Sequence, residues 1–346
     1  MLTFIAAVFV FGILIFFHEL GHFLVAKKVD IKVYEFSLGF GTKVFGFKRG
    51  ETMYNLRLIP LGGYVRMAGM DPEEEDKANP GFDIKRAYNS KTVSQRSAVI
   101  VAGPLMNFVL AAILLAVVFM LIPIPTAHIG GVIEGYPAEQ VGLMPGDRVV
   151  SINNKAVDTW SDLVTQVNAY SGQQLNIVVD RDGMTKDFVI TPLLNEDGMY
   201  VIGIMADESK ADRLNPLVAI WRGIETTWQV TVLIITYLIQ MFSAQAPVDL
   251  GGPVRIVSEI GNAAEDGFLN LLQLAAFLSI NVGLFNLFPI PALDGSKLIF
   301  LGWEKIAGKP IDPSKEGFIH MIGFTLLLLL IIVITYKDII GLITGT

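Results

Sequence analysis

FFHELGHFLVAKK, residues 16–28, closes the first long apolar run of a 346-residue chain and decides how the rest is read. The run starts at Leu2 and continues to Ala26. That length suffices to cross a bilayer, which takes about 20 apolar residues in a helix. It carries His18, Glu19 and His22 at membrane depth, where ionisable side chains are costly and mark function. Lys27 and Lys28 follow at once, as at a cytoplasmic membrane boundary.

The composition agrees with a membrane protein: 52% of the residues are hydrophobic and the mean hydropathy is +0.54. Three further runs reach spanning length, Ala98–Ile122, Phe268–Leu293 and Phe318–Tyr336. No basic residue precedes the first run and no small-residue cleavage site follows it, so it is expected to stay in the protein rather than leave as a signal peptide. The chain has no cysteine, so a metal site must be built from histidine and carboxylate. The net charge of -7 is spread over several loops and points to no nucleic-acid partner.

Charge sets the expected orientation. The loop after the first run carries Lys32, Lys43, Lys48, Arg49, Arg57 and Arg66, then Lys85, Arg86, Lys91 and Arg96. The loop before the last run carries Lys297, Lys305, Lys309 and Lys315. Both are expected to be cytoplasmic, and the N-terminus and residues 125–216 extracytoplasmic. A fifth apolar stretch, Leu217–Phe242, holds Arg222, Glu225, Gln229 and Gln240. A crossing there would put the lysine-rich loop outside, so it reads as an amphipathic helix at the interface.

On a helix, His18 and His22 lie four residues apart on one face with Glu19 beside them. The chemistry of that pattern is zinc held by two imidazoles, with the glutamate as general base for water attacking a carbonyl. Zinc takes a third protein ligand, and the third run ends NLFPIPALDGSKL, residues 286–298, whose one acidic residue is Asp294. Both runs cross in the same direction. His22 lies about 20 residues into its run and Asp294 about 24, so at 1.5 Å per residue they reach similar depth. Alone, Asp294 before Gly295 also reads as a turn at a helix end. Two histidines and a carboxylate would equally suit iron or cobalt.

His-Glu-Leu-Gly-His at 18–22, Gly-Pro-Leu-Met-Asn at 103–107 and Pro-Ala-Leu-Asp-Gly at 291–295, in that order on separate runs, resemble the site-2 protease family of intramembrane zinc metalloproteases. The chain is most similar to the bacterial RseP/RasP-type branch. The resemblance implies His18, His22 and Asp294 as zinc ligands and Glu19 as the catalytic residue. It also implies regulated intramembrane proteolysis in the bacterial cytoplasmic membrane. The substrates would be single-span proteins such as anti-sigma factors, or remnant signal peptides, with membrane lipid as the other partner. A rival reading, an inactive scaffold with a structural metal, would normally need four protein ligands, and the spans offer three.

Asn281, Asn286, Pro289 and Pro291 interrupt the third run. Proline frees carbonyls and an asparagine amide can bond an unwound peptide, so with Asn107 these residues are candidates for holding substrate; helix packing is the alternative. Residues 53–69 alternate apolar and polar on both sides of Pro60–Gly63, which predicts a hairpin turning there. In the family such a hairpin enters the membrane beside the site, so Gly62, Gly63 and Tyr64 are expected to meet substrate by strand addition. A plain cytoplasmic hairpin stays open.

GYPAEQVGLMPGDRVVSINNKAVDTWSDLVTQV, residues 135–167, and LNIVVDRDGMTKDFVITP, residues 175–192, predict a small β-rich unit with short helices and a hairpin turn at Asp182-Gly183. It resembles a PDZ domain, without the carboxylate-binding Gly-Leu-Gly-Phe pattern near His128–Gly131, so peptide capture and size filtering both stay open. His128 and His320 read as ordinary surface and interfacial residues, and residues 71–80 as a solvated acidic loop.

The expected fold is a polytopic α-helical membrane protein with four transmembrane helices, a membrane-associated β-hairpin on the cytoplasmic side and one extracytoplasmic PDZ domain. Residues 1–125 hold the first two helices and the hairpin, 126–208 the PDZ domain, 209–266 the interfacial helix and a connecting segment, and 267–346 the last two helices.

Overall fold

The computed structural model describes residues 1–70, 83–195, 197–243 and 251–344. The acidic run at 71–80 lies outside them. The chain divides into two compact units, Met1–Val118 with Ile220–Thr346, and Phe119–Ala219.

In the first unit, α1 (Leu2–Lys28) contains no proline, and Lys27 and Lys28 in its last turn offset the negative end of the helix dipole. A tight hairpin follows, β1 (Val33–Arg49) and β2 (Thr52–Met67). The sequence predicts a reversal at Pro60–Gly63; the chain instead reverses at Gly50-Glu51, where Arg49 faces Thr52 and Gly50 has φ +62°. A left-handed first turn residue suits a two-residue loop whose twist matches the strands. Gly62, at φ +97°, bends β2 without ending it. Residues 35–38 are therefore flanked on both sides, by 63–66 and by 53–56, while 43–49 pair with 52–57. Ile31, Val33, Phe36, Val65 and Met67 of this sheet and its lead-in pack with Ala26 of α1 and Val99.

Next, α2 (Val93–Leu121) begins at a reciprocal cap, in which the Gln95 N–H donates to Thr92 Oγ1 (3.3 Å) and the Thr92 N–H to Gln95 Oε1 (3.1 Å). The second unit then runs β3 (Ile124–Pro125), β4 (Ile129–Val132), α3 (Pro137–Gln140), β5 (Arg148–Ile152), β6 (Lys155–Ala156), α4 (Trp160–Ala169), β7 (Leu175–Arg181), β8 (Met184–Ile190), β9 (Leu193–Leu194), β10 (Tyr200–Val201), β11 (Ile204–Ala206) and β12 (Ala211–Asp212). An antiparallel sheet in the order β6-β5-β7-β8 forms its centre, with β4 paired to β11 and β3 to β12. Asp182 and Gly183 both take left-handed φ in the β7–β8 turn, as predicted. The core is Ile129, Val149, Ile152, Leu163, Leu175, Ile177, Val179 and Ile190. Asp147, only 1% exposed, is gripped by Arg181 at 2.6 and 2.7 Å. Burial pushes this carboxyl up, but the Arg181 hydrogen bonds outweigh it and hold it below the usual carboxylate range.

The first unit resumes with α5 (Pro216–Phe242), α6 (Pro253–Glu265), α7 (Phe268–Asn286), α8 (Asp294–Ala307) and α9 (Pro313–Thr344). Among the described residues four helices are long and apolar enough to cross a membrane, α1, α2, α7 and Ser314–Gly341 of α9; α5 is not one of them. The third apolar run reads to Leu293, yet α7 stops at Asn286 and residues 287–293 turn before α8 starts at Asp294. Pro289 and Pro291 explain the break: each lacks an N–H and disfavours helical geometry at the residue before it.

Candidate metal centre

The site is assembled where α1 meets α2. Gly21 lies against the backbone of Ala102, and a Cβ there would sit 2.1 Å from the Ala102 carbonyl oxygen. This approach brings one face of α2, residues 99, 103 and 107 at one-turn spacing, against His18 and His22. His22 Nδ1 donates to the Val99 carbonyl at 2.8 Å, which leaves Nε2 as an outward lone pair. Gly103 lies beneath the same ring: a Cβ would come within 2.3 Å of His22 Nε2.

His18 Nδ1 lies 3.1 Å from the Asn107 side-chain amide, while the Asn107 oxygen is buried with no partner. The two ends of a carboxamide have the same shape and are told apart only by their partners. With the oxygen turned to His18, it accepts the Nδ1–H, and His18 Nε2 becomes a second outward lone pair. Asn107 is fully buried and its own carbonyl accepts from Ser279 Oγ at 2.8 Å. The structure thus places it against His18, with no exposed surface of its own.

Asp294 arrives from the 287–293 turn as the first residue of α8. Gly295 makes the turn possible, since a Cβ there would lie 2.2 Å from the Phe288 carbonyl oxygen. Asp294 Oδ2 stands 3.1 Å from His18 Nε2 and 3.2 Å from His22 Nε2, and the two Nε2 atoms are 3.3 Å apart. Oδ2 is buried and carries no hydrogen bond. Three electron-rich atoms at this spacing repel one another unless a cation sits among them. Zinc bonds of about 2.0–2.2 Å in a tetrahedron set ligand atoms about 3.3 Å apart, so the donor set and its spacing fit that ion. Among the described residues this His18, His22, Asp294 group is the one cluster of three or more such side chains able to share a metal.

Glu19 is half-buried beside the edge of the hairpin; a Cβ on Gly63 would lie 3.0 Å from Glu19 Cγ. Gly62 faces the Phe40 ring, and Tyr64 donates to Glu35 Oε1 at 2.7 Å. Asn281 and Asn286 bond carbonyls of their own helix, Phe277 at 2.8 Å and Val282 at 2.9 Å. Pro289 is exposed, and Pro291 lies against Gly323 of α9. His128 belongs to the second unit, where it meets Thr126.

Two charged residues that the sequence does not single out fix the hairpin. Glu35 is buried and accepts from Asn55, Arg57 and Tyr64; burial pushes its carboxyl up, but these bonds hold it below the usual range. Glu51, in the turn, accepts from Arg86 at 2.8 Å on each oxygen and pairs with Lys27, which brings its carboxyl down to about 2.

A spanning bundle with a His-His-Asp cluster and an adjacent glutamate defines a class, the membrane metallohydrolases. Residues 6–330 match the model of Peptidase family M50, and the chain belongs to that family: it is a multi-pass membrane zinc metalloprotease. It is 34% identical to "Zinc metalloprotease RasP" of Geobacillus kaustophilus over 97% of each chain. It is also 34% identical to "Regulator of sigma-W protease RasP" of Bacillus subtilis, over 97% of this chain and 98% of that one. A third relative, "Putative zinc metalloprotease CA_C1796" of Clostridium acetobutylicum, is 37% identical over 97% of each. Among solved structures, the PDZ domain of the SdrC-like protein Lmo2051 from Listeria monocytogenes aligns at 18% identity. The match covers 25% of this chain and 94% of that one, with a TM-score of 0.23.

Proposed function

We propose that the chain performs intramembrane proteolysis, hydrolysing a peptide bond in or near the transmembrane segment of a single-span protein, with His18, His22 and Asp294 holding zinc and Glu19 as the base. The observation that carries this reading is the convergence of two imidazole nitrogens and a carboxylate oxygen at 3.1–3.3 Å, next to a glutamate inside a membrane helix. Bound zinc would supply a Lewis acid that polarises the scissile carbonyl and eases deprotonation of water.

The chain's own groups do the rest. Glu19 takes a proton from the attacking water and returns it to the departing amine nitrogen. Val99 and Asn107 keep both imidazoles aimed, by accepting at Nδ1. A helical substrate hides its carbonyls in its own hydrogen bonds, so it must unwind before attack. The edge at Gly63–Tyr64, beside Glu19, offers backbone partners to the unwound strand. In this reading Asn281, Asn286, Pro289 and Pro291, at and before the break after α7, are further candidates for holding the unwound strand.

The substrate class would be trimmed anti-sigma factors or remnant signal peptides, consistent with the sigma-W regulator named among the relatives. In this reading the protein sits in the bacterial cytoplasmic membrane, with the N-terminus outside and the basic hairpin loop inside. Residues 126–208 serve as a PDZ domain that binds or screens substrates.

The test is cleavage of a detergent-solubilised single-span substrate by the parent and by Glu19→Gln, with zinc content measured in both. Loss of cleavage by at least about 10³-fold at equal zinc is expected, since a general base and the chemistry it enables are removed together. Parent-like cleavage by Glu19→Gln would sink the assignment.

A further inference from the structure

His320, on α9, reads from the sequence as an ordinary interfacial residue. In the structure its Nδ1 accepts a hydrogen bond from the Ala292 N–H at 3.1 Å. Ala292 lies two residues before Asp294, on the turn that carries this carboxylate to the histidines, and its φ is +77°. The other non-glycine residues at positive φ among those described are Asp30, Asn153, Asn154, Ser171 and Asp182. All five have short polar side chains, and Asp and Asn in particular settle such a backbone by local hydrogen bonds. Alanine has none, so besides the turn's own bond from the Leu293 N–H to the Ile290 carbonyl at 3.1 Å the strain at 292 is held from outside.

The holding contacts come from α9. Gly323, one turn beyond His320, lets that helix touch the loop, because a Cβ there would fall 2.2 Å from Pro291 Cβ. The His320 ring is itself fixed, edge-on to Phe300 of α8 at 5.6 Å between centroids. With Nδ1 accepting, the ring proton resides on Nε2, which faces Glu316 Oε1 at 3.8 Å.

We propose that His320 is a positioning residue for the metal centre: by accepting the Ala292 N–H it keeps Ala292 in the left-handed conformation that aims Asp294 at His18 and His22. The last helix thereby braces a site to which it contributes no ligand. The proposal rests on Asp294 being a zinc ligand. Without the acceptor, the Ala292 N–H loses its partner and the loop relaxes toward ordinary φ, carrying the carboxylate off its mark.

The experiment measures zinc dissociation by chelator competition, with thermal unfolding alongside, on the full-length protein in micelles. His320→Leu should weaken zinc binding about tenfold, in the range seen for partners that orient ligands. His320→Asn, whose Oδ1 can occupy the place of Nδ1, should stay within about twofold of the parent. Ala292→Gly removes the cost of the left-handed backbone, so the His320→Leu, Ala292→Gly double variant should recover most of the lost affinity.

Parent-like affinity in His320→Leu overturns the proposal, as does failure of Ala292→Gly to restore a folded His320→Leu protein. If His320→Leu does not fold, His320→Asn is compared with His320→Gln, whose oxygen sits near Nε2 and faces away from Ala292. Weakening in Gln alone supports the proposal, and equal behaviour overturns it. Asp294→Asn separates the two levels of the argument. If it binds zinc like the parent, the ligand assignment itself is wrong; if it weakens binding while His320→Leu does not, only the role of His320 falls.

Discussion

Adding a single methyl group at Gly103 should disable the site while leaving the fold in place. Its Cβ would lie 2.3 Å from His22 Nε2 and 2.5 Å from Cε1, about 1 Å short of the 3.4 Å at which ordinary contact begins. The ring has little room to retreat: Nδ1 is bonded to Val99 at 2.8 Å and the clashing Nε2 itself faces Asp294 at 3.2 Å. His22 must therefore shift by about 1 Å, and a misplacement of that size costs on the order of 100-fold in rate. Helix propensity pulls the other way, since alanine is favoured over glycine by about 1 kcal/mol in a helix interior, so thermal stability should change little. Gly103→Ala is expected to cut kcat/KM about 100-fold and zinc affinity at least tenfold. Gly12→Ala, a matched change in α1 where nothing lies within 4 Å, should do neither. Turnover on a single-span reporter, chelator competition and unfolding of both variants make the assay. Parent-like zinc affinity and turnover in Gly103→Ala would refute the packing argument.

Two further outcomes test the scaffold. The Glu51 carboxyl is depressed to about 2 by Arg86 and Lys27, against 4.5 for an unperturbed group. A depressed carboxylate stabilises the fold in full above its unfolded pKa and loses that contribution as pH falls through its folded value. The stability gap between the parent and Glu51→Gln should therefore be constant above pH 4.5 and close between 4.5 and about 2; a gap that ignores pH would exclude the ion pairs as its source. In the second unit, Arg181→Leu leaves the Asp147 carboxylate without its guanidinium and should lower the unfolding midpoint. An unmoved midpoint would mean that water replaces the guanidinium.

The spans and the His18, Glu19, His22 pattern were legible because both rest on local spacing: an apolar run and a helical repeat need no knowledge of distant residues. Asp294 was legible only in part, since its depth could be counted but the break at 287–293 changes how it arrives. For the hairpin turn Gly62-Gly63 is the louder local signal, while the actual turn, Gly50-Glu51, sits among charged residues and is fixed by cross-strand pairing. Glu35 carries no local signal of burial, which depends on Asn55, Arg57 and Tyr64, 20 to 29 residues away. The Val99 carbonyl had no signal at all, since any residue offers a carbonyl. His320 was passed over because nothing in its neighbours reveals the strained alanine it faces.

The first two helices also show why small residues and metal ligands occur together here. In lipid, helices gain little by hiding apolar surface from each other, so close association depends on backbones approaching where side chains are small. Gly21 against Ala102 supplies that approach from α1, and Gly103 supplies it from α2. The same approach is what lets a backbone carbonyl of α2 reach an imidazole of α1, as Val99 does with His22. Because both helices repeat at nearly one turn per four residues, 99, 103 and 107 on one stay in step with 18 and 22 on the other. A side chain at 21 would therefore part the helices, while one at 103 would press on the His22 ring alone, so helix packing and the geometry of the site are set at one crossing.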